Sequence, residues 1–179
     1  MATNTFALIK TYTIGSGGTS SINFTAIPST FTDLCLKVSL RTNNALDNFE
    51  NVKLTFNNSS GGTAYSDLLI YGNGSTVATA SNSTQAQTYF QYADAGTSTS
   101  STFSNVDFYL PNYSGASYKN LIVNSVTENN SSAANGVIIS IAAEIYSSTT
   151  AINQITLKPN VGTLFVQYSS ASLYGILKA

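Results

Sequence analysis

The chain reads as all-β, a two-sheet antiparallel sandwich of the jelly-roll type with about ten strands. Three observations predict this. Apolar residues recur at every second position in short runs from one end to the other. Ser, Thr, Asn and Gly punctuate those runs every 8 to 15 residues or so, as turns between strands do. No segment carries the 3.6-residue periodicity of an amphipathic helix.

Taken in order, Phe6 to Ile14 and Ser20 to Phe24 flank Gly15-Ser16-Gly17-Gly18, which reads as a hairpin. In Asp33 to Arg41, Leu34, Leu36, Val38 and Leu40 share one face while Asp33, Lys37, Ser39 and Arg41 share the other, so one side is core and the other wet. Asn51 to Phe56 repeats the pattern with Val52, Leu54 and Phe56 inward. Tyr65 to Tyr71 runs into Asn73-Gly74, a pair that tolerates the positive φ of a tight turn, so Tyr71 to Val77 reads as a strand reversal. From Ala78 to Ser101 the chain is polar, with a single strand expected around Thr88 to Tyr92. Phe103 to Leu110 is stopped by Pro111, and Tyr118 to Glu128 follows. In Gly136 to Tyr146, isoleucines fall on both faces, which predicts a mid-sheet strand with Ile141 in the core. Ile152 to Lys158 and Leu164 to Leu177 complete the series, the last bent where the alternation slips at Ser169-Ser170.

A chain of 179 residues fits one domain spanning positions 1–179. Charged residues make up 8% and the net charge is −1, against about 25% charged in ordinary soluble domains. So little mutual repulsion suits a subunit of an assembly better than a free monomer. Six lysines and Arg41 are scattered singly, which argues against nucleic acid as a partner, since counterion release needs clustered positive charge. The opening MATNTFALIK lacks the basic and apolar segments of a signal peptide, and no 18-residue apolar run is present, so no membrane span is expected. Cys35 alternates with apolar neighbours and reads as a packing residue.

The side chains that do most chemistry are missing. Without histidine, Ser-His-Asp and Cys-His devices are impossible and the common zinc ligand sets fall away. Paired carboxylates could still cleave glycosidic bonds, and Asp33, Asp47, Glu50, Asp67, Asp94, Asp107, Glu128 and Glu144 are the candidates, none in a recognisable motif. Glu144 stands out because its strand is so apolar that a buried carboxylate there would need a partner. No calcium loop or phosphate cradle is written in the chain. No catalytic residue, cofactor or metal is therefore expected. Eleven Tyr and nine Phe belong mostly to the core. The run Tyr89, Phe90 and Tyr92 is the candidate contact surface, because alternation in a strand cannot hide all of it on one core face.

Five stretches carry a likeness in matching order: Ser21 to Arg41 (SINFTAIPSTFTDLCLKVSLR), Leu69 to Thr76 (LIYGNGST), Phe103 to Asn124 (FSNVDFYLPNYSGASYKNLIVN), Ile152 to Pro159 (INQITLKP) and Ser172 to Lys178 (SLYGILK). With an Ile-Pro hinge before a Leu-rich strand and a closing Leu-Tyr-Gly-Ile, the chain resembles β-sandwich virion structural proteins of tailed bacteriophages. The resemblance implies a non-enzymatic component of the particle assembled in the host cytoplasm. The leading expectation is a capsid decoration or cement protein that binds the major capsid protein lattice as a homo-oligomer, a trimer by preference. The alternative is a tail or fibre component that binds a host receptor or glycan through exposed Tyr rings.

Overall fold

The computed structural model describes residues 5–130 and 137–177, apart from the side chains of Phe90 and Gln91. Twelve strands are present among them: β1 (Phe6–Thr13), β2 (Ile22–Phe24), β3 (Asp33–Ser39), β4 (Phe49–Phe56), β5 (Tyr65–Gly72), β6 (Val77–Gln85), β7 (Thr88–Asp94), β8 (Asn105–Pro111), β9 (Lys119–Thr127), β10 (Ile138–Tyr146), β11 (Ile155–Pro159) and β12 (Ser170–Ile176). They form an eight-stranded sheet in the order β1-β12-β3-β8-β9-β10-β5-β6 and a four-stranded sheet in the order β2-β11-β4-β7. Every pairing is antiparallel.

The topology is a jelly roll with an extension. β1 pairs with β12, β2 with β11, β3 with β8 and β4 with β7. These nested pairs are those of one long hairpin rolled into two sheets, β1-β12-β3-β8 and β2-β11-β4-β7. Two insertions supply the other strands: the β5-β6 hairpin, between β4 and β7, and the β9-β10 pair, between β8 and β11. They add to the free side of β8 and widen the large sheet into a four-stranded wing, β9-β10-β5-β6.

The core lies between the two jelly-roll sheets. Leu34, Leu36, Phe108 and Leu110, together with Leu121 of β9, meet Leu54, Phe56 and Ile155 there, and all are at most 3% exposed. Phe56, Tyr65 and Tyr146 continue the core as a ring cluster, with Tyr65 and Tyr146 stacked at 4.9 Å. The Tyr65 hydroxyl accepts from the Phe56 amide at 2.8 Å and donates to the Ser59 carbonyl at 3.2 Å, so it enters the core with its polar tip satisfied. Burial raises the Tyr65 pKa.

The reversal at Tyr71 to Val77 is present, closed by Asn73, whose Oδ1 accepts from the amides of Ser75 and Thr76, and by Gly74 at φ +83°. Two expectations need correction. Phe6 to Phe24 is not a hairpin: β1 and β2 lie in different sheets, and Gly15 to Gly18 is the crossover between them. The polar stretch from Ala78 onward holds a full strand, β6, in addition to β7. Its residues VATASNSTQ carry neither alternation nor β-branched runs, because an edge strand paired only with β5 has no covered face to pattern.

Gly175 shows why the closing Leu-Tyr-Gly-Ile needs its glycine. A Cβ there would stand 2.2 Å from the Phe31 ring, which lies on the β12 backbone. Gly175→Ala is expected to cost about 1 to 3 kcal/mol by overpacking, and Leu36→Ala, 2% exposed in mid-core, about 2 to 5 kcal/mol. Urea unfolding of the two variants against wild type reads both values.

Candidate interaction surface

The wing inverts the usual polarity of a half-buried strand. In β10 the inward residues are Ile138, Ser140, Ala142, Glu144 and Tyr146, while Ile139, Ile141 and Ala143 face out. In β5, Asp67 is inward, between Tyr65 and Leu69, and Leu68 and Ile70 face out. In β9, Lys119, Ser125 and Thr127 are buried beside Leu121 and Val123, while Ile122 is exposed. The expectation that Ile141 lies in the core is thus overturned: it is 49% exposed on the outer face. Isoleucine on both faces of the strand predicts burial on both sides, but among the described residues only the inner face is covered.

The register assembles these residues into rows. One row crosses the sheet as Leu8, Tyr174, Cys35, Tyr109, Ile122, Ala143, Leu68 and Ser81. The next runs Thr11, Ser172, Lys37, Asp107, Asn124, Ile141, Ile70 and Thr79. A third, confined to the wing side, is Asn105, Val126, Ile139, Gly72 and Val77. Outside the wing the face is polar in the second row, with Lys37 and Asp107 ion-paired at 2.9 Å. On the wing it is aliphatic: Leu68, Ile70, Val77, Ile122, Ile139 and Ile141 are 46% to 75% exposed. They line two adjoining depressions of about 480 and 300 Å³. Patches of this kind on soluble proteins mark contact sites.

The expected contact residues lie elsewhere, on β7 at the edge of the small sheet. Tyr89 is half-buried, its hydroxyl accepting from Gln87 Nε2. Tyr92 is buried, its ring edge-on to Phe49 at 5.5 Å. The side chain of Phe90 lies outside the described part. The outer face of the wing is not legible in the sequence: Ser140 and Glu144 alternate against Ile139 and Ile141 in β10, and Asp67 against Leu68 and Ile70 in β5, a pattern that ordinarily puts the polar face in solvent.

The carboxylates do not converge on a cleft. Asp33 accepts from the Tyr109 hydroxyl at 2.8 Å and the Asn112 amide at 2.9 Å. Glu50 is buried and accepts from the amides of Val161 and Gly162 at 2.7 and 2.9 Å, pinning the turn after β11. Glu128 takes the Asn130 amide. Asp67 and Glu144 face each other across the β5-β10 ladder, both buried on the inner face. Asp67 Oδ1 accepts from the Asn82 amide and Nδ2 at 2.8 and 2.9 Å, and burial raises its pKa. Both depressions open on the opposite face. Among the described residues no group of three or more Cys, Asp or Glu side chains could hold a metal ion, and no helix is long and apolar enough to cross a membrane. Comparison with protein-family models, with curated proteins and with solved structures returned no match.

Asp94, at the end of β7, is fully buried and burial pushes its pKa up to about 6, against the pull of the Thr102 and Ser98 hydroxyls and the nearby Arg41. The folded chain holds this proton up to about pH 6, whereas the unfolded chain releases it near 3.8. Its contribution to stability is therefore complete below pH 3.8, falls as pH rises to about 6, and is flat above. Asp94→Asn is expected to be more stable than wild type by about 2 to 3 kcal/mol at pH 7, the gap closing toward pH 3.5 or so. Urea unfolding of the pair across that range checks it, and a gap that does not change with pH would refute the assignment.

Proposed function

We propose that this chain is a structural subunit of a virion, a decoration protein that binds the assembled capsid lattice and reinforces it. The observation that carries the reading is the exposed aliphatic face of the wing on a two-sheet body whose remaining surface is mainly hydroxyls and amides, with its other exposed apolar residues single or in a smaller group. A face of that kind is made for contact. The buried carboxylates hold loops and strands together, and none of them lines a cleft with a second carboxylate. The resemblance of the five quoted stretches to phage virion proteins supplies the setting.

Reinforcement works by linkage. A subunit that binds the assembled lattice and not the free capsid protein stabilises the shell by its own binding free energy, and internal pressure must break its contacts as well. Association of several copies would add avidity to contacts that are weak singly.

Particles lacking this protein are expected to retain their DNA yet lose infectivity faster on heating or osmotic shock. Purified protein added back should restore resistance at saturation, and the effect should change little between about 50 and 500 mM salt, because few charges are there to be screened. Deficient particles that are as robust as complete ones but fail to adsorb to cells would replace this reading with receptor binding by a tail component.

A further inference from the structure

The geometry points to a specific occupant for the wing: we infer that two copies of this chain pack face to face through the outer surface of β9, β10, β5 and β6. The inference goes beyond the decoration reading and holds whatever the pair then binds.

Area is the first argument. Leu68, Ile70, Val77, Ile122, Ile139 and Ile141 are 59%, 46%, 75%, 49%, 67% and 49% exposed, which leaves on the order of 600 Å² of contiguous aliphatic surface, at the top of the range for a monomer. Adding the neighbouring Tyr109, Asn124, Ala143, Thr79 and Ser81, all exposed on the same rows, brings the face to about the 800 Å² per partner that a stable interface uses. Sheets stack readily in this way, about 10 Å apart with side chains interleaved.

Charge is the second. No outward residue of the four wing strands is charged. In the neighbouring strands Lys37 and Asp107 neutralise each other at 2.9 Å, and Glu128, exposed just past the end of β9, lies beyond the last row of the patch. Such a face meets its own copy without like-charge repulsion and holds nothing that would select a charged partner. A twofold contact needs one self-complementary patch, whereas a ring needs two different ones. The other large exposed apolar residues do not supply a second of this size. Leu46, Tyr118, Val161 and Tyr168 stand singly in connecting segments, and Phe6, Leu8 and Leu177 form a smaller patch at the far edge.

The two edges of the large sheet support the same assignment. Both edge ladders carry a register shift, between Leu8 and Lys10 in β1 and opposite Tyr65 to Asp67 in β6, but only β1 also carries a lysine, Lys10, that guards an edge against pairing. β6, bordering the patch, has nine residues with neither Lys nor Pro, so the charged edge is the one away from the proposed contact.

Sedimentation of the full chain at neutral pH, from about 1 to 100 μM, should give twice the 18.9 kDa chain mass. Ile70→Lys with Ile141→Lys should weaken association at least about 100-fold. Thr79→Lys places a charge on the patch from an exposed position without removing an apolar side chain, and should weaken it too while leaving the circular dichroism spectrum unchanged. A third readout needs no charge. Cys35 is buried, so Ile141→Cys creates one accessible thiol near the centre of the face, and mild oxidation should cross-link it into covalent dimers. Ser16→Cys, exposed in the Gly15 to Gly18 crossover, should not cross-link. A monomer at 100 μM, a trimer, or a dimer indifferent to Thr79→Lys and not cross-linked through Ile141→Cys would each overturn the inference. So would a monomer that holds a different protein on this face. Should the double lysine variant misfold, the Thr79 and cysteine variants decide alone. A dimer that leaves deficient particles fragile would overturn the decoration reading and leave this one standing.

Discussion

Neighbouring strands lie about 4.8 Å apart, so an eight-stranded sheet spans about 34 Å and a four-stranded one about 14 Å. The width mismatch governs the rest of this molecule. Four strands of the large sheet are matched by the small one and share its apolar core, and the wing overhangs. β7, the outermost strand of the small sheet, reaches across β9 to touch β10 and β5. An edge strand arrives with backbone groups that its own ladder does not satisfy, so the surface receiving it must offer polar side chains. Ser125 is the observed case, its hydroxyl accepting the Tyr92 amide at 3.2 Å. The inward polarity of the wing, with Ser125, Thr127, Asp67, Ser140 and Glu144 all buried, follows from what covers it. The outward positions are a separate choice. In a chain so rich in Ser and Thr, they could have been hydroxylated and are aliphatic instead.

The loops are held by a second set of polar groups, half-buried or buried, each a charged side chain closed around backbone. Arg41 donates to the carbonyls of Ser98, Thr99 and Thr102, at 2.8 to 3.1 Å, and so shapes the segment between β7 and β8. Lys119 is fully buried with its Nζ directed at the carbonyls of Gly115, Ser117 and Ser148, tying the approach to β9 to the segment after β10. Burial lowers its pKa, and the carbonyls are what make a cation tolerable there. With Glu50 on the turn after β11, these residues use a substantial part of the chain's few charges on internal architecture. The poverty of charge at the surface is thus sharper than composition alone conveys.

Where alternation met a continuous apolar cover, the sequence was legible. Leu34, Leu36 and Val38 in β3 and Val52, Leu54 and Phe56 in β4 are buried as their spacing requires. The nested pairing that makes a jelly roll joins residues as distant as Phe6 and Ile176, so nothing local announces the partner. That is why β1 and β2 looked like a hairpin. β6 was invisible because it needs no pattern of its own. The error at Ile141 has a different origin: periodicity identifies two faces but not which one is covered. Ile139 and Ile141 on one face of β10 with Ser140 and Glu144 on the other would ordinarily mean core and solvent. Here the edge strand β7, lying over the inner face of the wing, reverses the meaning, and only the tertiary arrangement reveals it. The candidate surface was therefore the least legible feature, although each of its residues was in plain view.

A surface with so few charges has little to steer an approaching partner or to hold one at a distance. Association then rests on contact area and shape. That places a burden on where aliphatic residues are allowed to appear, because scattered patches would permit many weak and unproductive contacts. In this chain the largest patch is confined to one face of one sheet, its margin is set by hydroxyl and amide residues and by a closed Lys37–Asp107 pair, and the opposite edge is guarded. Confinement does for specificity what charge pattern does in more polar proteins: it leaves one orientation in which substantial apolar area is removed from water, and makes every other encounter comparatively unrewarding.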